Sequence, residues 1–328
     1  RTMLYKGKCV LVTGAAGLIG SHLCDGLLSA GAVVIGVDNL LTGNEKNLES
    51  ATSHPQFRFI HADAINSPET YLPENTKLDI IFHFASPASP PIYQKYQVET
   101  YLINSLGTHN LLQYVVAKNP EARFIFASSS EIYGDPQEHP QKETYWGNTN
   151  PNGVRACYDE SKRYGEMVCG VHFRNFDLDT RIIRIFNTFG PRMNPKDGRV
   201  IPNFMTQVLS NQPLTIYGNG KQTRSLCYIT DLIGGILAVG SSDTIRGETF
   251  NLGNPSEMTV LEIADMIKTL SGTSLPFVYK PLPIDDPVQR KPDITKIKNA
   301  LGWEPKVTPK DGLSKTLAYF KDLVSHQQ

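Results

Sequence analysis

Tyr158 and Lys162 stand four residues apart in the run YDESK, and Ser128-Ser129-Ser130-Glu131 comes upstream at the end of an apolar stretch. Side chains four apart on a helix lie one above the other. An ammonium placed there can draw a phenol down from about 10 towards neutrality, giving a base for a hydroxyl proton. Tyr-x-x-x-Lys alone carries little weight, because such pairs recur on exposed helix faces. Its weight comes from the polar run delivered by residues 123–127, read as a strand, and from a glycine loop at the start of the chain.

The elements that must position these groups begin at residues 8–13 (KCVLVT), an apolar β-branched run of the kind that forms a buried parallel strand. Gly14-Ala-Ala-Gly17-Leu18-Ile19-Gly20 follows, then a helical pattern through Leu23, Leu27 and Leu28. A second apolar run, residues 33–37, ends at Asp38. Strand, glycine loop, helix, strand and acid in this order make a dinucleotide-binding unit. The glycines permit a tight turn, so that a pyrophosphate lies on the helix N-terminus at Gly14, Gly17, Leu18, Ile19 and Gly20. Asp38, followed by Asn39, offers a carboxylate to both ribose hydroxyls of an adenosine and repels a 2′-phosphate, which favours NAD over NADP.

Further strands are expected over residues 57–62 and 78–84. Asp63 and Ala64 close the first, where an adenine amino group would bind. His83 lies inside the second and reads as structural. Ala85-Ser86-Pro87 opens a loop at a strand's carboxyl end, where doubly wound sheets place ligands. A long helix over residues 98–118 carries Asn104 on an apolar face, to bond a neighbouring loop or to hold an active-site water. The helix of Tyr158, Lys162 and Glu166 and a strand over residues 181–185 complete the first half. It reads as α/β, a doubly wound parallel sheet with helices on both faces. From Asn187 the texture turns loop-like, and Arg192, Arg199, Arg224 and Arg290 suit a doubly charged phosphate ligand. Lys196 and Lys221 read as solvated surface.

Composition excludes several classes. The 328 residues suffice for one large domain or two closely packed ones. With 32 basic and 32 acidic residues the net charge is zero, which argues against broad binding to nucleic acid or anionic membrane. No apolar run approaches the ~20 residues that span a bilayer. The chain begins at Arg1, which leaves room for an anchor or leader upstream. Five scattered cysteines without metal-ligand spacing read as reduced thiols of a cytoplasmic protein, and no metal site is expected.

Together, GAAGLIG, HFASPASPP, SSSEIYGDPQEHPQ, YWGNTNPNGVRACYDESKRYGE, RIFNTFGPRM, GNGKQTRS, DDPVQRKPDI and LGWEP resemble the extended short-chain dehydrogenase/reductase family. Within it they are most similar to the UDP-glucuronate decarboxylases. The resemblance implies an NAD-binding sheet domain over residues 1–186. It implies a smaller nucleotide-sugar domain, mainly residues 187–328, with segments returning to the sheet. It also implies tightly bound NAD and a homodimer formed through the helices that begin near Val98 and Tyr158. Related 4,6-dehydratases carry Asp-Glu where this chain has Ser130-Glu131, and related 4-epimerases lack the glutamate. Ser129 stands where a Thr is usual.

The chemistry follows from the need for an electron sink. Oxidising C4 of a glucuronate makes its carboxylate part of a β-keto acid, so that carbon dioxide leaves with its electrons falling into an enolate. Tyr158, held as phenolate by Lys162 and the positive nicotinamide, would take the C4 hydroxyl proton while hydride passes to NAD. Ser129 or another hydroxyl of the run, Ser130 among them, would relay or orient that proton. Glu131 would disfavour the charge of the C5 carboxylate and order the water that reprotonates C5. The resemblance assigns Arg290 with Arg224 to a diphosphate clamp, although a related bacterial decarboxylase gives the former a proton-donor role. It puts Asn187 at the sugar-phosphate, Tyr217 near uracil or ribose, and Tyr93 and Ser86 near the sugar. The rival readings are a 4-epimerase or 4,6-dehydratase, an enzyme that stops at the 4-keto-pentose and releases NADH, and a silent NAD-binding scaffold.

Overall fold

The computed structural model describes residues 4–283 and 289–325. Residues 285–288 of the DDPVQRKPDI motif therefore lie outside the described residues. The first half supplies β1 (Cys9–Thr13), β2 (Val33–Asp38), β3 (Phe57–His61), β4 (Ile80–His83), β5 (Arg123–Ser129) and β6 (Thr180–Ile185). With Thr249–Leu252 these form one seven-stranded sheet in the order Thr249–Leu252, β6, β5, β4, β1, β2, β3. Every pairing in it is parallel. The predicted doubly wound α/β class is the observed one. The order reverses direction between β1 and β4, and that switch point opens a crevice at the carboxyl ends of the strands.

Both faces of the sheet are covered, which is why its strands are nearly continuous apolar runs. Side chains alternate across a strand. Val10 and Val12 of β1 therefore enter one core cluster and Leu11 the other, as do Ile125 and its neighbours Phe124 and Phe126 of β5. The first cluster runs on into the second half of the chain through Phe204, Ile216, Ile263 and Phe320. That half contributes three further two-stranded pairings, at Leu214–Tyr217 with Phe277–Lys280, Thr223–Ser225 with Glu257–Thr259, and Thr188–Phe189 with Cys227–Tyr228.

Two local departures from the expected elements bear on the site. β5 runs through Ser128 and Ser129, two residues further than the apolar pattern suggests, so the serines form its tip. The expected helix over residues 98–118 is divided into Gln97–Leu102, a wide π-helical turn at Ile103–Gly107 that contains Asn104, and Thr108–Lys118. Such a turn inserts one residue into the helix and re-aims the side chains around it. Among the described residues no helix is long and apolar enough to cross a membrane, and no cluster of three His, Cys, Asp or Glu could hold a metal ion.

Candidate active site

The glycine loop forms a cradle that fits a dinucleotide. Gly14 has φ +74°, and a Cβ on it would lie 2.8 Å from the Ala85 backbone. A Cβ on Gly20 would fall 1.9 Å from the Gly14 carbonyl oxygen, so the helix Leu18–Ser29 can start this close to β1 with glycine there. That helix has no side-chain cap at Gly17. The N–H groups of Leu18, Ile19 and Gly20 are the ones a helix start leaves without an intrahelical acceptor. Leu18, Ile19 and Gly20 line the cavity, where an anion site would need them. Asp38 at the tip of β2 accepts from the Ala16 and Leu40 backbone N–H groups at 2.9 and 2.8 Å. Burial raises its carboxyl, and those two bonds pull it the other way. Asn39 donates to Asp63 at 3.3 Å, Asp63 accepts from the Ile65 N–H at 2.9 Å, and Ala64 and Ala85 complete the wall.

Beside this cradle, the helix Ala156–Phe176 carries Tyr158 and Lys162 against β5. A Cβ on Gly165 would lie 2.2 Å from the Phe126 ring, so this glycine lets helix and strand approach. Lys162 Nζ donates to the Ala127 carbonyl at 2.7 Å and lies 5.6 Å from the Tyr158 ring centroid. In the protein by itself Lys162 is not among the groups that draw the phenol down, and the expected phenolate also calls on the nicotinamide charge. Burial pushes Tyr158 up to about 12, opposed by a hydrogen bond from Ser129, and lowers Lys162 to about 7, opposed by Glu166. A cation next to the phenol has to come from elsewhere; Arg199 already acts in that direction.

At the tip of β5, Ser129 Oγ accepts from the Glu131 N–H at 3.1 Å. Glu131 lies between two guanidinium groups: Arg155 Nη2 donates to Oε2 at 2.8 Å and Arg290 Nη1 to Oε1 at 3.1 Å. Burial would raise this carboxyl, but Arg290, then Arg155 and Arg224, hold it down to about 2. Arg290 Nη1 also donates to Ser130 Oγ at 2.9 Å, and Nη2 to the Gly134 carbonyl at 2.7 Å. Arg290, expected in a diphosphate clamp, directs its terminal nitrogens at the serine–glutamate turn here, lines the cavity and is 2% exposed.

Of the two roles expected for Asn104, the structure shows the bond to a neighbouring loop: it is fully buried behind the cavity wall, with Nδ2 within reach of Ser86 Oγ, the Thr100 carbonyl and Ser161 Oγ at 3.0–3.2 Å. It ties the Ser86 loop to the catalytic helix. Tyr93, expected beside the sugar, is fully buried behind Tyr158, the two rings stacked 4.8 Å apart and 6° from parallel. Arg192 lines the cavity, but its Nη2 pairs with Asp25 of the first helix at 2.6 Å. Ser86, Asn187, Tyr217 and Arg224 line the same cavity as the cradle and the Tyr158 cluster. Its volume is about 1040 Å³, at the upper end of small-molecule and cofactor sites. His83 is internal: Nδ1 bonds Thr13 Oγ1 at 2.8 Å and Nε2 bonds Thr108 Oγ1 at 3.1 Å.

A family model described as NAD dependent epimerase/dehydratase matches residues 10–253. The chain belongs to the NAD dependent epimerase/dehydratase family. It is 45% identical over 318 residues to UDP-glucuronic acid decarboxylase 1 of Arabidopsis thaliana, covering 97% of this chain and 71% of that one. It is 45% identical over 320 residues to UDP-glucuronic acid decarboxylase 1 of Xenopus tropicalis, covering 98% and 74%. Among solved structures it is similar to UDP-glucuronic acid 4-epimerase from Bacillus cereus in complex with UDP-glucuronic acid and NAD. The TM-score is 0.85 at 30% identity, covering 96% of this chain and 99% of that one.

For a member of this family, sequence reasoning missed Arg155 in the RACYDES run, and the placement of Arg199. Arg155 precedes Tyr158 by three residues, so a charged residue one turn ahead of the base was a readable signal. Arg199 forms a two-pronged pair with Asp197 at 2.6 and 2.8 Å and lines the cavity facing Tyr158 and Glu131. Burial would lower its guanidinium; Asp197 outweighs that.

Proposed function

We propose that the chain is an NAD-dependent UDP-glucuronate decarboxylase that forms UDP-xylose through C4 oxidation, loss of carbon dioxide and re-reduction. The observation that carries this reading is Glu131, an anionic carboxylate fixed by two arginines beside Ser129, Ser130 and Tyr158. The similarity to proteins named UDP-glucuronic acid decarboxylase over nearly the whole chain supports it.

Leu18–Gly20 would hold the pyrophosphate of NAD and Asp38 its adenosine ribose, and the bound cofactor would supply the acceptor of the C4 hydride and its return. Tyr158 takes the C4 hydroxyl proton, and Ser129 orients the phenol. Lys162, with its lowered basicity, moves the proton onward. Carbon dioxide leaves from C5 as the C5–C6 bond breaks and its electron pair enters the enolate of the 4-ketone. Glu131 repels the substrate carboxylate in the ground state, and Glu131 with Arg290 orders the water whose proton goes to C5. Decarboxylation of a carboxylate consumes one proton, so the site has to draw one from solvent in each turnover. Arg224 would hold the diphosphate, Asn187 the sugar-phosphate and Tyr217 the uracil or ribose, all three lining the same cavity as the cradle. Residues 1–186 act as the cofactor part and residues 187–328 mainly as the nucleotide-sugar part.

A homodimer through the helices that begin near Val98 and Tyr158 fits the exposed apolar side chains of Val98, Tyr101, Tyr164 and Met167. The catalytic reading is tested by incubating the protein with NAD and UDP-glucuronate and weighing the product. A UDP-pentose supports it. A UDP-hexuronate epimer or a dehydrated sugar in its place overturns it.

A further inference from the structure

Asp159 has no part in the reaction as proposed, yet it sits within the charged cluster around Glu131. It follows Tyr158 on the helix and stands four residues after Arg155, so the two project from one face of the helix start. It is 6% exposed, and its Oδ1 has no hydrogen-bond partner. Arg155 directs Nη2 to Glu131 Oε2, at 2.8 Å. A carboxylate withdrawn from water with an oxygen unpartnered is costly, and the neutral acid is the form such a site admits. Burial, then the charge of Glu131, raise the Asp159 carboxyl to about 8, against the pull of Arg155 and Arg290. Tyr93, from the helix Pro90–Lys95, and Cys157, Tyr158 and Glu160, from its own helix, complete the titratable groups around it among the described residues.

We infer that Asp159 is a positioning residue for Glu131. As a neutral acid it leaves Arg155 to Glu131. As a carboxylate it competes for Arg155 and repels Glu131, so that loss of carbon dioxide slows while C4 oxidation by Tyr158 does not. The inference rests on the decarboxylase reading. The group is neutral below about pH 8, so its effect is an alkaline limb confined to the second step. A single ionisation of this kind lowers a rate about tenfold for each pH unit above the transition.

The test is single-turnover kinetics of the NAD-loaded enzyme with carboxyl-labelled UDP-glucuronate, from about pH 6 to about pH 10. Nicotinamide absorbance reports oxidation, and trapped label reports carbon dioxide. In the native enzyme the ratio of the second rate to the first falls above about pH 8. In Asp159→Asn the ratio is flat across the range, and near neutrality it stays within about twofold of native. A residue needed only for folding would depress both rates at every pH. The same alkaline fall in Asp159→Asn, or no fall in the native enzyme, overturns the inference. The native profile decides the matter by itself should the variant not fold. Absence of labelled carbon dioxide at every pH would instead overturn the decarboxylase reading.

Discussion

Glu131→Gln keeps the shape of the side chain and removes its charge. In the native protein the two oxygens accept from Arg155 and Arg290 at 2.8 and 3.1 Å, and the side chain is 18% exposed. Holding the carboxyl at about 2 against its ordinary 4.5 corresponds to roughly 3 kcal/mol of favourable interaction with the ionised form. A glutamine accepts from one guanidinium but turns an NH₂ towards the other, donor against donor, and leaves two arginines without their counter-charge. The variant should therefore lose roughly 3 kcal/mol at neutral pH, a fall of several degrees in Tm. The sign with pH follows from the depressed pKa. The stabilisation is complete above about pH 4.5 and is lost as pH falls through about 2, so the Tm gap between the proteins narrows on acidification. In single turnovers the NADH transient should form within a few-fold of the native rate, and carbon dioxide release should slow by about a hundredfold or more. Thermal melts across pH and labelled single turnovers read both. A variant with native Tm and native release of carbon dioxide would refute the reasoning.

Tyr158→Phe should form no NADH transient on adding substrate; any oxidation at a native rate removes Tyr158 as the base. Arg290→Lys loses the bonds to Ser130 and Gly134 and should slow carbon dioxide release more than about tenfold while substrate affinity changes only a few-fold. A large loss of affinity with unchanged release would restore the diphosphate clamp. Gly20→Ala would set a Cβ 1.9 Å from the Gly14 carbonyl oxygen, and the loop must shift to admit it. Cofactor retention on gel filtration should fall by more than about tenfold, since the backbone donors move with the loop; unchanged retention would contradict the cradle.

The cradle was legible because its parts are neighbours in sequence: strand, glycines, helix and acid follow one another from Cys9 to Asp38. The doubly wound sheet was legible for the same reason, since each apolar run is followed by its crossover. What depends on distant segments was not. Thr249–Leu252 reaches the sheet by pairing with β6, and no local pattern in either run announces the other. Arg290 meets Ser130 across 160 positions, so its orientation could not be read from its own loop. Asn104 could be read as bonding a loop or holding a water, and its reach from a π-helical turn to Ser86 and Ser161 decides for the loop. Burial, which spacing does not reveal, raises Tyr158, and the groups that oppose it are Ser129 and Arg199 rather than Lys162.

The most direct measurement is to give the enzyme catalytic NAD and UDP-glucuronate labelled in its carboxyl carbon, and to follow label and sugar together. The account predicts labelled carbon dioxide released one for one with UDP-xylose, with NAD regenerated. Label retained in a UDP-hexuronate, with the sugar inverted at C4, would contradict it.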